Sequence, residues 1–136
     1  MSDANKPDST PGTFAWNELI TRDADASADF YTQLFGWTAA KMPMPNGSTY
    51  TMFKIGERPV AGMMVPPAEA EGAPEMWMSY INVADLDVAV AKAKELGATI
   101  CMERVDTPMG SFGVVRDPRG VTFAFWQCAP NCPPAE

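Results

Sequence analysis

The sequence predicts an α+β fold of two tandem βαβββ modules, and three observations support this prediction. Similar segments recur at an offset of 62 residues, which pairs Trp16 with Met78 and Asp23 with Asp85. Each copy contains one helical pattern and several strand-sized runs in which polar and apolar residues alternate. Turn-forming residues separate these runs. A fixed period of this kind is typical of repeated supersecondary units.

The first module covers residues 13–65 and begins with an alternating strand at residues 13–22. Asp23 is a suitable N-cap, and Gly36 is a natural helix stop, so a helix is predicted between them. Three further strands are expected at residues 37–42, 48–55 and 60–65, since Gly, Pro and Asn cluster between them.

A linker rich in Pro, Ala and Glu is expected at residues 66–74, before a second module at residues 75–127. This module begins with a strand at residues 76–84, after which Asp85 caps a helix that ends at Gly97. Strands follow at residues 98–103, 111–116 and 121–127. Residues 1–12 have the composition of a disordered leader, and residues 128–136 form a tail.

Composition limits the classes of partner. The chain has 136 residues, a formal net charge of -7 and no histidine. Nucleic acids and anionic membranes require clustered Lys and Arg, so neither is an expected partner. No apolar run approaches the length of about 20 residues that spans a bilayer, and no export signal is visible, so we expect a cytoplasmic protein. Its three cysteines are expected to be reduced, with Cys101 buried and Cys128 and Cys132 in a frayed tail; a redox or metal loop closed by Cys128 and Cys132 is the alternative.

Several motifs together resemble the vicinal oxygen chelate superfamily, which includes glyoxalase I, extradiol dioxygenases, fosfomycin-resistance enzymes and bleomycin-binding proteins. The first motif runs from Asp23 through Phe30, Tyr31 and Leu34 to Trp37. The second is the strand and cap from Tyr80 to Asp87, and the third is the turn at residues 117–120. The chain is most similar to small glyoxalase-like members with a Trp-x-Glu-Leu first strand, here residues 16–19.

This resemblance implies that the two modules curl into one open cup with the helices outside. It also implies four metal-ligand positions, which fall on Trp16, Gly62, Met78 and Ala124. None of these side chains is a ligand for Zn²⁺ or Fe²⁺, and the chain has no imidazole to offer. We therefore predict a glyoxalase-like protein that has lost the metal site and uses no cofactor.

Strand alternation predicts which side chains replace the metal. If Trp16 faces the cup, Glu18 does too, and Leu19 faces the helix. Small residues at Gly62 and Ala124 would leave room for a ligand. The expected lining is aromatic and rich in methionine, which suits a flat or amphipathic small molecule. The predicted ligand-binding residues are Trp16, Glu18, Met52, Gly62, Met64, Met78, Tyr80, Phe112, Thr122, Ala124 and Trp126.

Two functions remain open at this point, as does a cup filled by ordinary core packing. The favoured function is metal-independent binding of a small molecule, with sequestration like that of bleomycin-resistance proteins as one form. The alternative is a metal-independent lyase or isomerase with Glu18 as general base and Tyr80 in support. Glu18 has a second interpretation as a rim carboxylate paired with Lys54 or Arg116.

Association is predicted as a homodimer. Trp37 and Trp77 are the aromatic residues expected at such a contact, although either one is equally suited to packing under a helix.

Overall fold

The computed structural model describes residues 9–43, 49–66 and 74–130. The predicted leader up to residue 8, most of the linker, and the tail beyond residue 130 lie outside the described residues. The chain divides into two compact units. We call residues 16–78 the first module, and residues 79–130 with residues 9–15 the second module.

The first module has a four-stranded mixed sheet and one helix. Its elements are β1 (Phe14–Ile20), α1 (Ala24–Phe35), β2 (Thr38–Pro43), β3 (Thr49–Ile55) and β4 (Arg58–Met64). The strand order is β2-β3-β4-β1, with β1 parallel to β4. The Asp23 carboxylate accepts a hydrogen bond from the Ala26 amide, and Gly36 ends α1 at φ 75°, as predicted.

The second module repeats this arrangement. Its elements are β5 (Met76–Asn82), α2 (Leu86–Glu95), β6 (Thr99–Thr107), β7 (Gly110–Arg116) and β8 (Thr122–Cys128). The strand order is β5-β8-β7-β6, with β5 parallel to β8. Asp85 caps α2 through the Val88 amide. The predicted α+β class of two βαβββ modules is confirmed, although β6 extends four residues beyond its predicted end.

The offset of 62 residues is also visible in the strand register. Glu18 lies opposite Gly62 in the parallel pair of the first module, and Tyr80 lies opposite Ala124 in that of the second. This correspondence does not extend to the outer strands. Thr38 pairs with Lys54 in the first module, so the offset predicts that Ile100 pairs with Arg116 in the second. Arg116 pairs with Thr99 instead. Bulges in β6 account for this difference, because each bulge shifts the register.

The core of the first module lies between α1 and its sheet. Leu19, Phe53, Ala61 and Met63 are all buried, and Ala28 and Tyr31 of α1 pack against them. Leu19 therefore faces the helix, as strand alternation predicts. Strict alternation along β4 would place Val60 on the same face as Gly62, but Val60 packs against this core. The register shifts next to it, between Phe53 and Lys54, which breaks the alternation.

In the second module, Leu86 and Val90 of α2 and Val115 of β7 are buried. Arg104 of β6 ties the sheet to α2, because its guanidinium lies 3.2 Å from Asp87 and 2.9 Å from Asp106. The Ser111 hydroxyl donates to Asp106 at 2.6 Å. This bond and Arg104 lower the pKa of Asp106 below its usual value of 3.8.

Two expectations about cysteine are wrong. Cys101 is exposed and lies at a bulge of β6, a strand that is mostly exposed along its length. Cys128 is in a disulfide rather than reduced. Cys132, the other cysteine of the tail, lies outside the described residues. No helix in the described part of the chain is long and apolar enough to cross a membrane.

Candidate functional site

Glu18 is a buried carboxylate of β1, the strand at one end of the first-module order. It is only 5% exposed and lies directly opposite Gly62 of β4. Because side chains alternate along β1, Glu18 projects from the sheet face opposite to that of Leu19 and α1. Glu18 is therefore buried rather than solvated, and its alternative pairing with Lys54 or Arg116 stays a prediction.

Three side chains of the first module form a polar chain on this face. The Trp16 indole N–H donates to the Tyr50 hydroxyl at 3.0 Å. The Tyr50 hydroxyl in turn is hydrogen-bonded to the Glu18 side chain. Burial raises the pKa of Tyr50 far above its usual value of 10.0, and the negative charge of Glu18 raises it further. Tyr50 is therefore a neutral donor, and Glu18 is an acceptor.

Gly62 allows this arrangement. A Cβ atom at residue 62 would overlap the Tyr50 hydroxyl and lie 3.0 Å from Trp16 Nε1. The absent side chain was expected to leave room for a ligand. That expectation is wrong, because Tyr50 from β3 fills the space. Gly62 thus supports a packed polar cluster.

The second module carries an aromatic cluster at the corresponding positions. The Tyr80 ring lies 5.7 Å from Phe112 and 6.3 Å from Trp126, both in edge-to-face geometry. Phe112 and Trp126 face each other across β7 and β8. Tyr80 is 5% exposed, whereas Phe112 and Trp126 are half-buried. Three of the predicted ligand-binding residues therefore do come together.

The remaining predicted residues lie around these two clusters. Met52 pairs with Gly62 across β3 and β4, and Met64 pairs with Ile20 across β4 and β1. Met78 is buried two positions before Tyr80. Ala124 is fully buried opposite Tyr80, and Thr122 is half-buried at the start of β8.

The residues at the metal positions implied by the family do not fit a metal. Trp16, Gly62, Met78 and Ala124 supply no carboxylate, imidazole or thiolate. Within residues 9–43, 49–66 and 74–130, no group of three or more His, Cys, Asp or Glu is arranged to hold one. No chemical step here is therefore assigned to a bound metal.

Two concave regions are lined by other residues. A groove of about 390 Å³ in the first module is lined by Asn17, Tyr31, Phe35, Trp37, Val60, Ala61 and Trp77. A region of about 340 Å³ in the second module is lined by Ser9, Pro11, Asn82, Val83, Ala84, Gln127, Cys128 and Ala129. Neither includes a predicted ligand-binding residue. The first groove lies on the α1 side of the sheet.

Sequence comparison identifies relatives over most of the chain. The protein "Putative glyoxylase CFP32" of Mycobacterium tuberculosis is 38% identical over 121 residues, which are 88% of this chain and 46% of that protein. The "Anthracycline biosynthesis protein DnrV" of Streptomyces peucetius is 33% identical over 130 residues, which are 86% of this chain and 47% of that protein. This chain thus spans about half the length of these curated relatives.

Structure comparison supports the same fold. Hypothetical protein BH1468 of Bacillus halodurans superposes with a TM-score of 0.62 at 16% identity, over 96% of this chain and 99% of that chain. Methylmalonyl-CoA epimerase of Mycobacterium tuberculosis superposes with a TM-score of 0.61 at 14% identity, over 96% and 94%. At these identities the likeness shows the fold.

A family model also matches the sequence of this chain. The model of the Glyoxalase/Bleomycin resistance protein/Dioxygenase superfamily matches residues 13–125, which cover the first module and most of the second. The chain therefore belongs to the Glyoxalase/Bleomycin resistance protein/Dioxygenase superfamily.

Proposed function

We propose that this protein binds a small molecule with a flat aromatic portion, without a metal. The aromatic cluster of Tyr80, Phe112 and Trp126 carries the proposal. Planar ligands gain from offset or edge-to-face contact with such rings, beyond the burial of apolar area. Phe112 and Trp126 are half-buried, so each presents ring surface that a ligand can contact.

The two modules differ in chemical character at corresponding positions. Glu18, Tyr50 and Gly62 of the first module correspond, at an offset of 62 residues, to Tyr80, Phe112 and Ala124 of the second. The same register therefore presents a polar cluster in one module and an aromatic cluster in the other. The aromatic cluster of the second module is therefore the one that suits a flat ligand.

The name of one relative suggests a ligand class. DnrV is called an anthracycline biosynthesis protein, and anthracyclines are planar polycyclic compounds. We extend this class to the present chain as part of the proposal, with sequestration as the biological outcome. A cytoplasmic location remains a prediction from composition.

Binding is tested by the fluorescence anisotropy of daunorubicin, an anthracycline, as purified protein is added. We expect saturable binding by the metal-free protein and affinity about fivefold weaker for Phe112→Ala, since one aromatic contact contributes about 1 kcal/mol. Val88→Ala is the control, because Val88 is an exposed apolar residue of α2. Equal affinity of Phe112→Ala and the wild type would contradict the proposal, as would a lack of saturation.

The buried Glu18 favours a second candidate, which is a metal-independent lyase or isomerase. A desolvated carboxylate that is held by a neutral donor is suited to removing a proton from carbon. Daunorubicin has enolisable protons beside its ketone, so exchange in D₂O can be followed by mass spectrometry. This candidate requires exchange that the wild-type protein accelerates and Glu18→Gln does not. Equal rates for both proteins would exclude Glu18 as the base.

A further inference from the structure

The groove on the α1 side of the first-module sheet is lined mainly by aromatic side chains. Its volume of about 390 Å³ lies within the range of roughly 300–1,000 Å³ that is usual for small-molecule sites. Four of its seven lining residues are aromatic, namely Tyr31, Phe35, Trp37 and Trp77. The other three are Asn17, Val60 and Ala61. We call this concave region the α1 groove.

The four rings lie in two nearly perpendicular orientations. The ring planes of Phe35 and Trp37 are inclined at only 18° and 19° to that of Tyr31. The Trp77 plane is inclined at 82° to Tyr31 and at 85° to Trp37, with ring centroids 5.3 Å and 6.3 Å apart. The Trp77 indole N–H donates to the Tyr31 hydroxyl at 3.2 Å, which stabilises this angle. The α1 groove therefore presents aromatic surface in two directions.

Part of this aromatic surface is fixed by the core, and part is open to a ligand. The rings of Tyr31 and Trp37 lie 6.3 Å and 5.2 Å from that of Phe53, which is fully buried. Phe35 is 57% exposed, and Trp77 is 37% exposed. Contiguous exposed aromatic side chains at a concave surface are typical of a binding site.

The chemistry of the lining favours a cation. None of the seven lining residues, all of which lie in the described part of the chain, is charged. Aromatic rings attract cations to their faces through the ring quadrupole. The chain carries a formal net charge of -7, which also favours the approach of a cation. Asn17 supplies an amide that can hydrogen-bond to a polar group of the ligand.

The angle between the rings favours one shape of cation. A planar ligand stacks against rings of one orientation only, whereas the methyl groups of a quaternary ammonium ion point in tetrahedral directions. Such an ion can contact Trp77 and the nearly parallel rings of Tyr31 and Trp37 at the same time. We propose that the α1 groove is an aromatic cage that binds a quaternary ammonium compound. This inference does not depend on the proposed flat ligand, because the α1 groove shares no residue with the cluster around Tyr80.

Choline is the probe, and its matched neutral isostere is dimethylbutanol, in which carbon replaces the nitrogen. Binding of each compound to the full chain is measured by isothermal titration calorimetry. A concentration of about 150 mM NaCl screens long-range attraction to the net charge. We expect saturable binding of choline, with affinity about tenfold higher than that of dimethylbutanol, since only the cation gains from the ring quadrupoles. The methyl proton signal of choline should also move upfield, because ring currents act on groups that lie over aromatic faces.

Variants separate the aromatic rings from general apolar burial. Trp77→Leu should weaken choline binding about tenfold, and Trp77→Phe should weaken it less, because a smaller ring remains. Phe35→Leu should weaken it about threefold. Phe14→Leu is the matched control for Phe35→Leu, because Phe14 is 66% exposed and does not line the α1 groove. Far-UV circular dichroism checks that each variant is folded.

Three results would overturn the proposal. The first is equal affinity for choline and dimethylbutanol, or no saturable binding of choline. The second is choline binding that Trp77→Leu and Phe35→Leu leave unchanged, or that Phe14→Leu weakens as much as Phe35→Leu. The third is an affinity for choline that falls as the protein concentration rises, because another copy of the chain would then cover the α1 groove.

Discussion

Replacing Gly62 by alanine tests whether the polar cluster of the first module is as tightly packed as the structure shows. The φ angle of Gly62 is not positive, so alanine is compatible with the backbone. The new Cβ would overlap the Tyr50 hydroxyl. Tyr50 must then move away from Trp16 and Glu18, even though only one methyl group is added.

The expected cost follows from the bonds that are broken. A hydrogen bond to a charged group contributes about 1.5–3 kcal/mol, and the neutral bond from Trp16 contributes about 1 kcal/mol. Replacing glycine recovers about 0.4–1 kcal/mol through the unfolded chain. We therefore expect a loss of about 2–3 kcal/mol in the free energy of unfolding, with a Tm about 10 °C lower.

Urea denaturation of four proteins gives the measurement: wild type, Gly62→Ala, Tyr50→Ala and the double variant. In the Tyr50→Ala background the added methyl group has no hydroxyl to displace, so Gly62→Ala should cost little. The coupling energy should then be about 2 kcal/mol. A Gly62→Ala protein within about 0.5 kcal/mol of the wild type would refute the reasoning, as would an equal cost in both backgrounds.

Three other predictions concern ionisation and capping. Because the pKa of Tyr50 is raised above 10.0, the unfolded chain ionises first, and stability should fall as the pH rises above about 10; the part of the absorbance change at 295 nm that Tyr50→Phe removes should appear only on unfolding. Because the pKa of Asp106 is lowered below 3.8, its stabilising effect should be lost as the pH falls below that value. Ser111→Ala should bring the pKa of Asp106 in the folded protein closer to its usual value. Identical acid-unfolding curves for Ser111→Ala and the wild type would contradict this prediction. Asp23→Ala and Asp85→Ala should each lower stability by about 1 kcal/mol in urea titrations, and unchanged midpoints would mean that the caps contribute nothing.

Much of the fold is predictable from the sequence because its signals are local. The caps at Asp23 and Asp85 and the helix stop at Gly36 depend on a few neighbouring residues. The repeat then predicts the second module from the first, and the inner strands retain the same offset in their pairing. The end of β6 was missed because its last residues are polar and are held by contacts of Arg104 with Asp87 and Asp106.

The site was less predictable because it depends on contacts between strands. Alternation placed Glu18 and Leu19 on opposite faces, since that inference needs only one strand. It could not show that Tyr50 fills the space above Gly62, because that contact depends on the register between β3 and β4. The correspondence of Tyr50 with Phe112 at the 62-residue offset was the available signal. This offset pairs an aromatic residue at position 50 with one at position 112, and a small residue at position 62 with one at position 124.

The bulges of β6 have a consequence for solubility. β6 is the last strand of the second-module sheet and pairs there with β7. Its bulges lie between Ile100 and Val105, and the exposed charges of Glu103 and Arg104 occur in the same stretch. A kinked and charged edge is a poor template for another strand. Aggregation by strand pairing at this edge is therefore disfavoured, even at high protein concentration.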